Sequence, residues 1–227
     1  MNYTVIMKRD ILNVTWWLLT PFILTSILIV TGWTVVPNIA VRDIAVMLAL
    51  LVEQVVIATL LIKSPFSYRH WRKHLRLVLV VGSSFALAYI AILLSEFTPA
   101  INIQINVIVF FMLAALVVGG VVYAKERRIW QSVVTSAWSL MLGTAFWSTI
   151  WLVINYVTWN SSPWHFFWSN EGTMTEFHRA GASDFLLFVL QDIHGALFFH
   201  PILSAVIGAF FGLFGACVVK GILLSRS

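Results

Sequence analysis

The sequence predicts an all-α, polytopic membrane protein, and three observations lead there. Apolar runs of about 20 residues recur along the chain, each long enough to cross ~30 Å of hydrocarbon as a helix. Of the 227 residues only 10% are charged and 60% are hydrophobic, with a mean hydropathy of +0.93, whereas a soluble domain carries about 25% charged residues. The basic residues gather in short clusters between the runs. Residues 63–76, KSPFSYRHWRKHLR, hold five of the fourteen Lys and Arg. In a membrane protein such a short basic loop belongs on the cytoplasmic side and orients the spans around it.

Taken in order, the chain reads as a single transmembrane domain, 1–227, with six transmembrane helices. Residues 1–13 carry Lys8, Arg9 and Asp10 ahead of Trp16 and Trp17, the pattern of an amphipathic entry lying on the membrane surface with its indoles at headgroup level. The first span covers about 15–36. It is too long for the apolar region of a signal peptide and no A-x-A-like site follows it, so it is expected to be retained. Further spans follow at about 44–62, 77–94, 103–124 and 133–157. Residues 158–200 then turn polar and aromatic, with Gln191, Asp192 and His194 inside an otherwise apolar stretch. Charge at the bilayer centre costs about 2.5–3.5 kcal/mol per residue. This segment therefore predicts an outer loop with a re-entrant or interfacial helix on the extracytoplasmic side, between spans 5 and 6. The sixth span is 201–223.

Charge distribution supports that threading. With the N-terminus inside and six spans, twelve of the fourteen Lys and Arg lie on the cytoplasmic side, and six of the nine acids lie outside. Both termini are then cytoplasmic, in a multi-pass plasma (inner) membrane protein. A net charge of +5 spread in this way is not a nucleic-acid signature, which requires a folded basic face. The single cysteine, Cys217, excludes an internal disulfide and a multi-cysteine metal site.

Four sets of residues have chemical potential. Glu53 and Gln54 fall near the middle of the second span, where a carboxylate is either a proton relay, ion ligand or cation partner, or a hydrogen-bonding link between helices. His178, Asp192, His194 and His200 lie near the outer face. They combine imidazole and carboxylate as Zn, Cu or Fe sites do, although interfacial His and acids are common wherever water is near. One haem on this segment is the remaining haem reading, since the spacing of His178 and His194 (about 24 Å along a helix) excludes their sharing one. His70 and His74 stand one turn apart amid Arg69, Arg72, Lys73 and Arg76, where a metal cation would be repelled and a solvated basic helix is favoured. Such a helix suits anionic membrane lipid or an acidic partner. Gly208, Gly212 and Gly215 form a small-residue stripe that lets another helix approach closely. No nucleophile elbow, phosphate loop or dinucleotide fingerprint is present, so the chain carries no catalytic motif.

The stretch from Glu53 to Ser67, EQVVIATLLIKSPFS, resembles the end of the second span in ABC-2-type transporter permeases. There a Glu precedes a Thr-Leu pair, then Ser/Thr-Pro-x-Ser, then a basic helix that enters the third span. The amphipathic entry, six spans, internal termini and partly re-entrant segment between spans five and six are similar too. The resemblance implies a membrane subunit of an exporter for a lipid, peptide or drug-like substrate. Its Arg69, His70, Trp71, Arg72, Lys73 and Arg76 would dock on a separate cytoplasmic ATP-binding subunit. ATP and any ATPase activity would belong to that partner, and pairing with a second permease subunit, identical or different, would be allowed. The other readings of the residues are a metal- or haem-binding oxidoreductase subunit using the outer His/Asp cluster, and a non-catalytic integral subunit of a larger membrane complex.

Overall fold

The computed structural model describes residues 16, 19–32, 41–63, 68–96, 107–159, 161–170 and 172–225, and among these the regular structure is entirely helical. The helices are α1 (Leu19–Gly32), α2 (Val41–Lys63), α3 (Tyr68–Glu96), α4 (Val107–Glu126), α5 (Ile129–Thr158), α6 (Ser162–Asn170), α7 (Thr173–Ala180) and α8 (Phe185–Leu224). Three stretches among them are long and apolar enough to cross a membrane: Val109–Glu126, Ile129–Thr158 and Phe185–Leu224. Shorter apolar helical stretches occur at Leu19–Gly32, Ile44–Leu60 and Arg76–Ala88. The surface entry predicted over 1–13 lies outside the described residues.

Helix α5 is the hub. It packs most extensively against α8 and α3, and also against α4. Unusually for an interior helix, much of its buried face is polar: Ser132, Thr135, Ser136, Ser139, Thr144, Ser148, Thr149 and Asn155 are all buried. Several hydroxyls return to the carbonyl one turn back, as Ser139 does to Thr135 (2.8 Å) and Thr144 to Leu140 (3.0 Å). Others reach across: Ser136 Oγ donates to the Ala115 carbonyl of α4 (3.1 Å), and Thr149 Oγ1 to the Pro21 carbonyl of α1 (3.1 Å).

Along part of this hub, small side chains face inward and large ones outward. On α8, Pro201, Ser204, Gly208, Gly212, Gly215 and Ala216 are buried, while Phe199, Ile202, Leu203, Val206, Phe210, Phe214 and Val218 are exposed. Helix α4 buries Ala115, Gly119 and Gly120 together with Val118, Val122 and Tyr123, and exposes Val109, Leu113, Val117 and Val121. Large apolar side chains outside and small ones inside are the arrangement of a bundle solvated by lipid, where helices associate through close backbone approach rather than through exclusion of water.

That approach is very close. A Cβ placed on Gly119 would lie 2.6 Å from the Gly212 Cα. One on Gly208 would lie 2.7 Å from the Ser136 carbonyl oxygen and 2.8 Å from the Ala137 Cα, and one on Gly215 would lie 2.9 Å from the Gly120 nitrogen. The glycine stripe thus brings α4, α5 and α8 together within the chain.

The end of the sequence folds differently from the expected re-entrant element followed by a separate span. Residues 158–184 include the two short helices α6 and α7, but residues 185–200 are the first half of α8, which runs unbroken for 40 residues through Pro201. Proline removes one backbone donor, the one that would pair with the Leu197 carbonyl. Breaking the helix there would strand several more polar groups in apolar surroundings, and a helix containing proline is the cheaper solution. At 1.5 Å per residue α8 is about 60 Å long, twice the ~30 Å hydrocarbon thickness. It has length enough to cross and still project beyond, so Asp192 requires no separate re-entrant segment.

Candidate functional site: a polar layer between two apolar clusters

Two apolar clusters share the same helices at different levels. One gathers Ile29 of α1, Met47 and Leu50 of α2, Trp147, Trp151 and Leu152 of α5, and Leu197 of α8, together with residues of α6. The other gathers Phe22 of α1, Ile57 of α2, Val78 of α3, and Met141, Leu142 and Ala145 of α5, with Ala205 of α8 packed on it. In chain order Thr25 on α1, Glu53 and Gln54 on α2, and His200 and Ser204 on α8 fall between the positions of the two clusters, and on α5 Ser148 and Thr149 follow Trp147.

These polar residues are partly satisfied. Thr25 and Thr149 hydroxyls are 2.7 Å apart, and those of Thr144 and Ser204 are 2.6 Å apart, so α5 is tied to α1 on one side and α8 on the other. His200 rests on the Trp147 ring with centroids 5.1 Å apart. In contrast, both carboxyl oxygens of Glu53, the Gln54 Oε1 and the Ser148 Oγ are buried and have no hydrogen-bond partner among the described residues. The heptad-like run Met47, Leu50, Gln54, Ile57 explains the placement: these positions share one face of α2, and all four are buried. Glu53 lies beside that face and is partly buried.

A second organised region caps the far end of α5. Asn155 Oδ1 accepts hydrogen bonds from the indole N–H groups of Trp164 (3.0 Å) and Trp168 (3.3 Å), while its Nδ2 donates to the Trp151 carbonyl (2.9 Å). One amide therefore seats two tryptophans of α6 on α5. The rings continue the contact: Trp151 meets Phe167 edge-on at 5.3 Å and Trp168 at 5.7 Å, and Trp164 meets Phe185 of α8 at 5.5 Å. The only sign of this in the sequence is an amide, Asn155, alone in an apolar run and followed by three tryptophans within thirteen residues.

The predicted outer metal cluster is not assembled. Among the described residues no group of three or more His, Cys, Asp or Glu side chains is placed to hold a metal ion. Asp192 and His194 are separated by about 200° around their helix, so Asp192 is exposed while His194 is buried. His178 is exposed on α7 against Phe177, and His200 faces Trp147.

At the opposite end, the basic segment is helical from Tyr68 onward and continues without a break into the core portion of α3. The side chains of Arg69, His70, Trp71, Arg72 and Lys73 lie outside the described residues; Arg76 is exposed. His74 is buried with its Nε2 3.7 Å from the Glu126 carboxylate, joining the start of α3 to the end of α4 when the imidazole is protonated. Lys125, Arg127 and Arg128 are exposed at the same end. Arg127 takes a left-handed conformation (φ 57°) in the two-residue link to α5.

The fold thus defines an all-helical protein whose apolar exterior and three long helices fit a membrane. No protein-family model matches the chain. No curated protein matches it, and no solved structure does.

Proposed function

We propose that the protein is the permease subunit of an ATP-driven exporter, crossing the plasma (inner) membrane six times with both termini in the cytoplasm and working with a separate ATP-binding subunit. The observation that carries this reading is the continuity of α3. It is one 29-residue helix, Tyr68–Glu96, whose first three turns hold Arg69, Arg72, Lys73 and Arg76. Further along it packs on the hub: a Cβ on Gly82 would lie 3.1 Å from the Ser139 carbonyl oxygen and 3.2 Å from the Gly143 nitrogen of α5. A helix so close to its neighbour moves as a rigid lever, so displacement of the basic end by a soluble partner is delivered to the centre of the bundle. The resemblance of residues 53–67 to the ABC-2 pattern supports the same role for the basic turns that follow. The shorter apolar stretches in α1, α2 and α3 supply the three spans additional to α4, α5 and α8, and the clustering of Lys and Arg supplies the orientation.

Purification in mild detergent followed by mass spectrometry of co-purifying chains tests this. A stoichiometric ATP-binding subunit that is lost from Arg72→Glu/Lys73→Glu is the expected result. Absence of such a subunit, or its undiminished retention by the reversed variant, would overturn the reading.

A further inference from the structure

Residues 125–128, Lys-Glu-Arg-Arg, join α4 to α5 and carry one acid among three cations. The fold separates them. Glu126 turns inward, its side chain 17% exposed and its carboxylate 3.7 Å from the Nε2 of buried His74 on α3. Lys125, Arg127 and Arg128 are exposed, and none of the three is in an ion pair among the described residues. The Arg127 N–H donates to the Tyr123 carbonyl (2.9 Å), which closes the end of α4 and keeps the link short. Trp130, 58% exposed, follows at once in the first turn of α5.

Lys125 also ends an apolar track. Leu113, Val117, Val121 and Lys125 are exposed at every fourth position of α4, so they share one face of that helix. From Leu113 to Lys125 is about 18 Å at 1.5 Å per residue, a little more than half of the ~30 Å hydrocarbon thickness. A helix face that is apolar for the depth of one leaflet, and then meets three cations and an indole, matches a phospholipid with an anionic headgroup along its whole length. Acyl chains suit the track, and phosphate suits the ammonium and guanidinium groups. The indole belongs at headgroup level, as tryptophans do at membrane interfaces. A soluble acidic partner would match the cations but not the track.

We propose that the α4–α5 link is a binding site for an anionic phospholipid, its headgroup held by Lys125, Arg127 and Arg128 beside Trp130 and its acyl chains laid along Leu113, Val117 and Val121. The His74–Glu126 contact has a defined part in this site: it withdraws the one acid that would repel the phosphate. The inference depends on the bundle lying in a membrane and not on the exporter reading.

The test places the full chain in phosphatidylcholine vesicles that contain either acyl-brominated phosphatidylglycerol or acyl-brominated phosphatidylcholine at the same mole fraction. Bromine quenches nearby indoles, and the part of the quenching that Trp130→Phe removes belongs to Trp130. Stronger quenching of Trp130 by the brominated phosphatidylglycerol is expected, with a preference that falls as salt rises. Each cation near an anionic membrane surface is worth about fivefold. Lys125→Gln/Arg127→Gln/Arg128→Gln should therefore lower the preference at least about tenfold, while quenching by brominated phosphatidylcholine persists and shows that the variant is inserted. Equal quenching of the unaltered chain by the two lipids would overturn the proposal and leave the cations to an acidic soluble partner. A preference that the triple variant keeps, or that salt does not weaken, would overturn it as well. The salt series on the unaltered chain decides the matter even where the triple variant does not insert. No second subunit is present, so the result is independent of whether an ATP-binding partner is found.

Discussion

The two halves of α8 hold to the bundle in opposite ways. After Pro201 the helix brings Gly208, Gly212 and Gly215 into backbone contact with α4 and α5, while Ile207 and Phe211 pack alongside on Ala115 and Leu140. Before Pro201 it meets α5 and α6 with Val189, Leu190, Ile193 and Leu197, interdigitated with the tryptophans of the cap. The first half is the ordinary packing of a protein interior, in which large side chains fill space. In the second, the backbones touch at the glycines and leave room for few large side chains between them. Where lipid surrounds a helix, burying leucine against protein gains little over leaving it in hydrocarbon, and contact area comes from bringing the backbones together.

Glycine substitutions give the sharpest break of this contrast. Gly195 and Gly215 sit on the same helix, yet a Cβ on Gly195 would meet nothing within 4 Å, whereas one on Gly215 would collide with the Leu116 carbonyl and approach the Gly120 nitrogen. Gly215→Leu should separate α4 from α8 and cost about 3 kcal/mol, the upper end of the usual overpacking range, read as loss of monodisperse protein in size-exclusion chromatography. Gly195→Ala should be neutral or stabilising by up to about 1 kcal/mol, since alanine is the better helix former. Equal tolerance at the two positions would remove the distinction.

A smaller effect tests the cap. Asn155→Leu preserves bulk but leaves two buried indole N–H groups without their acceptor, each at about 1–3 kcal/mol. A loss of about 2–3 kcal/mol in sodium dodecyl sulfate titration, with altered tryptophan fluorescence, is expected. An unchanged unfolding midpoint would mean that ring packing alone seats α6.

The smallest expected effect lies between these regions, where Thr144 and Ser204 meet across α5 and α8. A double-mutant cycle of Thr144→Val and Ser204→Ala should give a coupling of about 0.6 kcal/mol, the usual scale for hydrogen bonds between helices in a membrane. A coupling of zero would show that glycine packing, not this bond, sets the register of the two helices just past Pro201.

Much of this was determined by the sequence alone, because it depends on properties that are local. Helical class and apolar exterior follow from composition and run length. The glycine stripe at 208, 212 and 215 is legible as a close-approach surface, since small residues at helical spacing leave backbone exposed on one face. That Glu53 and Gln54 stand out in the sequence follows from the cost of polar atoms in an apolar run. Tertiary structure alone decided what those faces meet: that the stripe receives α4 on one side and α5 on the other, that Asn155 serves two tryptophans on a later helix, and that Thr25 meets Thr149 while Ser204 meets Thr144. It also decided that Pro201 lies inside a helix and that Asp192 and His194 point apart. Each depends on partners distant in the chain, or on the phase of a helix whose boundaries local pattern leaves open, and one residue of phase turns a side chain by about 100°, enough to exchange a buried position for an exposed one.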